Sequence, residues 1–195
     1  SECLAQQSPR PLQGGCEHIW ALPTNELLER ERLGNFDRRQ RESSPAFWRE
    51  LGCVRQALDR AGSKGREGAL MIAGTSWHQG AINAYLQVLR IEARDSLTLS
   101  LLGQVVLEDW YADSLEVIGR ALLRGGQAGI IDRAALRGCS VAAFWARDRQ
   151  TARKCAEVGL SVGLYSTFHL LAVARAAAGD ADTTSASGAF RAAAM

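Results

Sequence analysis

The sequence predicts an all-α fold, a short solenoid of antiparallel helix pairs preceded by an extended N-terminal arm. Three observations predict it. All four prolines (Pro9, Pro11, Pro23 and Pro45) fall in the first 45 residues, and no ring geometry forbids helix in the 150 residues that follow. From Ser44 onward apolar residues recur at spacings of three and four, punctuated by Gly, Asp or Ser every 12 to 18 residues. Strand-like alternation is absent from the same stretch. A chain of 195 residues with 47% apolar and 23% charged side chains can bury a core, and a net charge of +2 argues against disorder and against an obligate polyanionic partner. The basic residues are 21 Arg and two Lys (Lys64 and Lys154), with no run long enough to track a phosphate backbone, so nucleic acid is not an expected partner.

Residues 1–44 read as the arm. The chain starts Ser1-Glu2-Cys3 with no initiator Met, a start that signal cleavage or any other cut would leave, and the expectation is export to a periplasmic or other extracytoplasmic membrane surface. Cys3 and Cys16 flank a polar stretch containing Pro9, Pro11, Gly14 and Gly15 that cannot build a core. They are candidates for a disulfide that would contribute about 3 kcal/mol, with two free thiols as the alternative. A short helix is expected near Asn25 to Leu33, and Arg38, Arg39 and Arg41 form a basic cluster suited to contacting a partner.

Residues 45–193 read as the helical domain, with helices expected at 45–61, 67–74, 77–92, 96–108, 112–124, 130–146, 148–162, 164–178 and 181–193. Gly62, Gly65, Gly125, Gly126, Gly163 and Gly179 fall in the joins, and Asp95, Asp132, Asp148 and Asp180 stand where carboxylates cap helix N-termini. Cys53, Cys139 and Cys155 lie inside helices and read as small apolar packing residues. The uncharged run from Val158 to Ala174 approaches the length of a membrane span. It contains Gly159, Ser161, Gly163, Ser166, Thr167 and His169, however, and reads as two buried helices around a tight corner rather than a span.

A period near 34 runs through this domain. Leu99-x-x-Leu102-Gly103-x-x-Val106 is followed by Leu136-x-x-Cys139-Ser140-x-x-Ala143 and by Phe168-x-x-Leu171-Ala172. Gly103, Ser140 and Ala172 are then small residues that let a neighbouring helix approach, and Gly103 is expected to pack against the helix around Ser114 to Leu122. Trp48-x-x-Leu51-Gly52 opens the domain, Ala81-x-x-x-Tyr85-x-x-Val88 follows, and Ser114-x-x-x-Ile118-x-x-Ala121 and Ala152-x-x-x-Ala156 are degenerate copies. These residues resemble the tetratricopeptide repeat, with three to four units over roughly residues 45 to 193. The resemblance implies a concave groove lined by the first helix of each unit, here Ser100, Gln104, Glu108, Arg137, Phe144, Trp145 and His169. Members of that family that clamp a C-terminal carboxylate use paired Lys and Asn residues, which this chain lacks in the groove.

Signatures of catalysis and of metal or cofactor binding are missing. There is no C-x-x-C, no H-E-x-x-H, no Walker-type or dinucleotide fingerprint, and His18, His78 and His169 are isolated, so no catalytic residue, metal or cofactor is expected. The expected function is therefore a non-enzymatic protein–protein interaction module, an adaptor or accessory subunit of a larger complex, in one version a membrane-associated electron-transfer complex. The chain itself is not expected to span a membrane. The alternative is a small-molecule or glycan binding helical domain centred on Glu108, Asp109 and Trp110, a carboxylate pair beside an aromatic.

Overall fold

In a computed structural model of the chain, the structure describes residues 16–41, 43–64, 76–109, 113–164 and 167–179. Every regular element among them is helical. They are α1 (Glu17–Trp20), α2 (Thr24–Arg41), α3 (Pro45–Lys64), α4 (Trp77–Ile91), α5 (Ser96–Glu108), α6 (Leu115–Gln127), α7 (Arg133–Trp145), α8 (Arg149–Ser161) and α9 (Thr167–Gly179). The expected helices at 67–74 and 181–193 lie outside the described residues.

Local chemistry sets the helix boundaries. Pro45 takes the first position of α3, where its missing N–H costs nothing, and the Ser44 hydroxyl accepts from Phe47 N at 3.3 Å. Ser76, Asp95, Asp132 and Asp148 cap α4, α5, α7 and α8 by accepting from the backbone N–H three residues on, at 2.6 to 3.2 Å. Three successive helices end in the same paired hydrogen-bond motif. Ile130 N donates to Gly125 O, Asp148 N to Ala143 O, and Leu164 N to Gly159 O. The residue that turns each corner has positive φ: Gly129 at 84°, Gly163 at 74°, and Arg147, the one that is not glycine, at 60°.

The N-terminal arm differs from the expectation. The helix expected at 25–33 runs from Thr24 to Arg41, and it packs antiparallel along α3. Gly34 meets Leu51 while Glu31 meets Arg55, so Leu27, Glu31 and Gly34 form an i, i+4, i+7 stripe facing α3. Cys16, Ile19 and Leu27 are buried in the core. Residues 16–41 are thus built onto the helical domain rather than extended from it.

The cysteine pairing also differs. Cys16 bonds to Cys53 rather than to Cys3, because α1 lies across α3 and brings the two α-carbons to 5.4 Å; Cys3 is outside the described residues. Cys139 and Cys155 join α7 to α8 over a Cα separation of 5.8 Å. The three helical cysteines are therefore crosslinks, not free packing residues. Closing loops with separations of 37 and 16 residues contributes about 4 and about 3 kcal/mol in the chain-entropy account.

From α5 onward packing alternates in two ranks. Helix α7 packs on α5 and α9, and α6 packs on α8, while each helix also touches its sequence neighbour. Gly103 is the closest approach, and its partner is the first turn of α7 rather than α6. A β-carbon there would collide with Ala134 O and lie 2.6 Å from Ala135 N, and one on Gly138 would lie 2.7 Å from the Gly103 α-carbon. The register expected from the sequence was displaced by one helix because α5 and α7, not α5 and α6, meet backbone to backbone.

Candidate interaction surface

Ser100, Gln104 and Glu108 follow one another at four-residue spacing on the outward face of α5, the first two half-buried and the third exposed. Arg137 is exposed on α7 and sits one residue from the Gly103–Gly138 crossing, as Gln104 does on the other helix. Phe144 and Trp145 lie two turns further along α7. Their rings meet edge to face at 5.4 Å, and the Arg175 guanidinium of α9 sits 4.7 Å above the Phe144 ring and donates to Phe144 O at 3.0 Å. Trp145 remains 41% exposed. His169 belongs to α9, and Arg38, Arg39 and Arg41 to the last turns of α2; their side chains lie outside the described residues.

Glu108 is not a free carboxylate. It pairs with Arg60, accepts from Arg60 Nε at 3.2 Å and accepts from Gln56 Nε2 at 3.2 Å. Gln56 Oε1 in turn accepts from the Tyr85 hydroxyl at 2.9 Å, and that hydroxyl lies 3.7 Å from Cys16 Sγ. The Arg60 guanidinium also stacks 3.8 Å over the Trp20 ring. Burial pushes the Tyr85 phenol far above its ordinary value; Arg60 pulls it down and Glu108 adds to the rise. This chain of contacts joins α1, α3, α4 and α5 and holds Glu108 in a structural role. A glycan subsite built on Glu108 and Asp109 would have to break it, and Trp110 lies outside the described residues.

Two more polar ties link the N-terminal helices. Arg55 binds Glu31 at 2.9 Å, with only 14% and 3% of the two side chains exposed, and donates to Gly80 O at 3.1 Å. Arg49 pairs with Asp95, the α5 cap, and donates to Thr98 Oγ1 at 3.2 Å. On the α6–α8 side, Asp148 accepts from Thr151 and faces Arg120 at 3.5 Å. Desolvation raises its carboxyl, but the Thr151 hydrogen bonds and the Arg120 charge outweigh it and hold the group below its ordinary value.

The sequence did not reveal a groove of about 460 Å³ between α2 and α3, floored by Leu33, Phe47, Leu51 and Val54. Its sequence signal was the apolar stripe Phe47, Leu51 and Val54 on α3, with Leu33 and Gly34 facing it from α2. Among the described residues no group of three His, Cys, Asp or Glu could hold a metal ion, and no helix is long and apolar enough to cross a membrane. The fold and these surfaces define an all-helical protein with an open apolar groove and an exposed aromatic end. No family model, curated protein or solved structure matches the chain.

Proposed function

We propose that this chain is a non-enzymatic protein-interaction module, a short array of antiparallel helix pairs resembling tetratricopeptide repeats, that serves as an adaptor or accessory subunit of a larger assembly. The observation that carries the reading is the two-rank packing, α5 on α7 on α9 beside α6 on α8. That arrangement stacks successive helix pairs, and a stack presents elongated surface rather than one enclosed pocket. The repeated helix endings at Gly129, Arg147 and Gly163 support the same reading, since three successive helices stop in the same hydrogen-bond motif. Two crosslinks between buried cysteines favour an oxidising, exported setting.

The test is chemical crosslinking in the native cell, followed by size-exclusion chromatography and mass spectrometry of the full chain. Recovery in a defined complex with a stoichiometric partner supports the proposal. Recovery as a lone chain under every crosslinking condition overturns it.

A further inference from the structure

The groove between α2 and α3 has an apolar floor and an acidic rim. Leu33 is 50% exposed although Phe47 and Leu51 beside it are buried, so the floor continues into solvent as a leucine with no covering residue among those described. Among the described lining residues, three carboxylates, Glu26, Glu29 and Glu50, stand around it with Arg30 as the one cation. Arg30 is shared between Glu26 at 3.3 Å and Glu50 at 3.2 Å, and Glu29 leans away to Arg32 at 2.7 Å. Among the described residues the rim thus sets three carboxylates against Arg30 and Arg32, a net negative balance, and its charges remain hydrated, with 45% of the Glu26 side chain and 56% of Glu50 exposed.

We propose that this groove takes a short amphipathic helix of a protein partner, with its apolar ridge on Leu33, Phe47, Leu51 and Val54 and Lys or Arg side chains against Glu26 and Glu50. The inference rests on the interaction-module reading and names the partner's chemistry. Two antiparallel helices leave between them a furrow parallel to their axes, and a third helix fills such a furrow with residues at i, i+3 or i+4, and i+7. The floor offers no converging hydrogen-bond groups to orient a small molecule, whereas the rim selects charge by sign. Covering Leu33 supplies the apolar burial, and the carboxylates reject acidic competitors.

The experiment titrates the full, disulfide-intact chain against three labelled peptides of about 14 residues, enough for nearly four helical turns. One is an amphipathic Leu/Lys helix, the second its Leu/Glu counterpart, and the third has the Leu/Lys composition in an order that forms no apolar face. The expected result is saturable binding of the first, weakened about tenfold or more by Leu33→Ser, by Leu33→Arg and by the pair Glu26→Gln with Glu50→Gln. Glu157→Gln on the distant α8 should leave it unchanged. Because Leu33 is half-exposed and the glutamates are on the rim, these variants should keep the parent's helical signal and melting temperature. Equal binding of the faceless or the Leu/Glu peptide overturns the proposal, as does indifference to both Leu33 variants. A native partner that still crosslinks to Leu33→Arg would sink the groove and leave the module reading standing; a chain that crosslinks to nothing would sink the module reading itself.

Discussion

The helices gathered around α3 and those gathered around α7 are held together by different means. Around α3 the ties are polar and covalent: Cys16–Cys53, Arg55–Glu31, Arg49–Asp95 and the run from Tyr85 through Gln56 to Glu108 and Arg60. Around α7, beside the Cys139–Cys155 disulfide and the Arg175–Phe144 contact, the helices meet backbone on backbone, with Gly103 against Gly138 and the first turn of α7. The groove with an apolar floor lies on the α3 side, between two helices tied by ion pairs, and that is where a partner could enter.

The largest effect should come from breaking a polar tie. Glu31→Leu strands Arg55 in a site where 14% of its side chain is exposed, and loss of one partner of a buried pair should cost about 3 kcal/mol. Urea unfolding would read it, and adding Arg55→Met should restore most of the loss. If Glu31→Leu were silent, the α3 side would not depend on its ion pairs.

Gly103→Ala should cost about 1 to 3 kcal/mol, since its methyl meets backbone that cannot rotate away, and this exceeds the gain of about 1 kcal/mol in helix propensity. The sequence alone suggests a milder outcome for Ala, because it does not show that the neighbour is a main-chain carbonyl. A variant as stable as the parent would erase the contrast between the two regions.

Asp148→Asn should cost about 1 kcal/mol at neutral pH through loss of the negative charge that faces Arg120 and the α8 N-terminus, since Asn caps as well as Asp. The Asp148 carboxyl titrates lower in the folded chain than in the unfolded one, so its contribution is present above the unfolded value of about 3.9 and is lost as pH falls through the folded value. Parent and variant should therefore converge in stability as acid is added below about pH 4. A gap that widened in acid would contradict the assignment.

The smallest effect is a gain. Arg147 holds a φ of 60° in a corner where its counterparts are glycine, and Arg147→Gly should stabilise by about 0.5 kcal/mol after the added freedom of the unfolded chain is subtracted. A small rise in melting temperature would show it. A fall would mean that the Arg147 side chain contributes more than its backbone costs.

The α7 side was the more legible in sequence. Caps at Asp95, Asp132 and Asp148, the corner at Gly163 and apolar spacing all act within a few residues, so they mark the helices of 77–161 to within a turn. Gly125 and Gly126, expected in a join, lie instead inside α6, and the corner falls at Gly129. That Gly103 is a packing point was readable from its place in the repeat, but its partner depends on which helices cross. The α3 side was less legible for a physical reason. Its helix α2 faces the core with Leu27, Glu31 and Gly34, and a stripe containing a glutamate becomes a core stripe only when Arg55 comes from 24 residues away to neutralise it. Cys16 likewise finds Cys53 through the folding of α1 over α3, which no spacing announces. For the candidate surface, the positions on α5 and α7 were placed from the repeat, whereas the α2–α3 groove required both helices.

Hydrogen exchange of Gly103→Ala against the parent chain tests the central claim, that helix pairs stack as a linear array in which damage spreads only to neighbours. Faster exchange is expected in α5, α6 and α7, the helices at or next to the crossing, with protection in α3 and in α8 beyond its first turn retained. Equal loss of protection across α3 to α9 would show one cooperative bundle with no array in it, and would contradict the account.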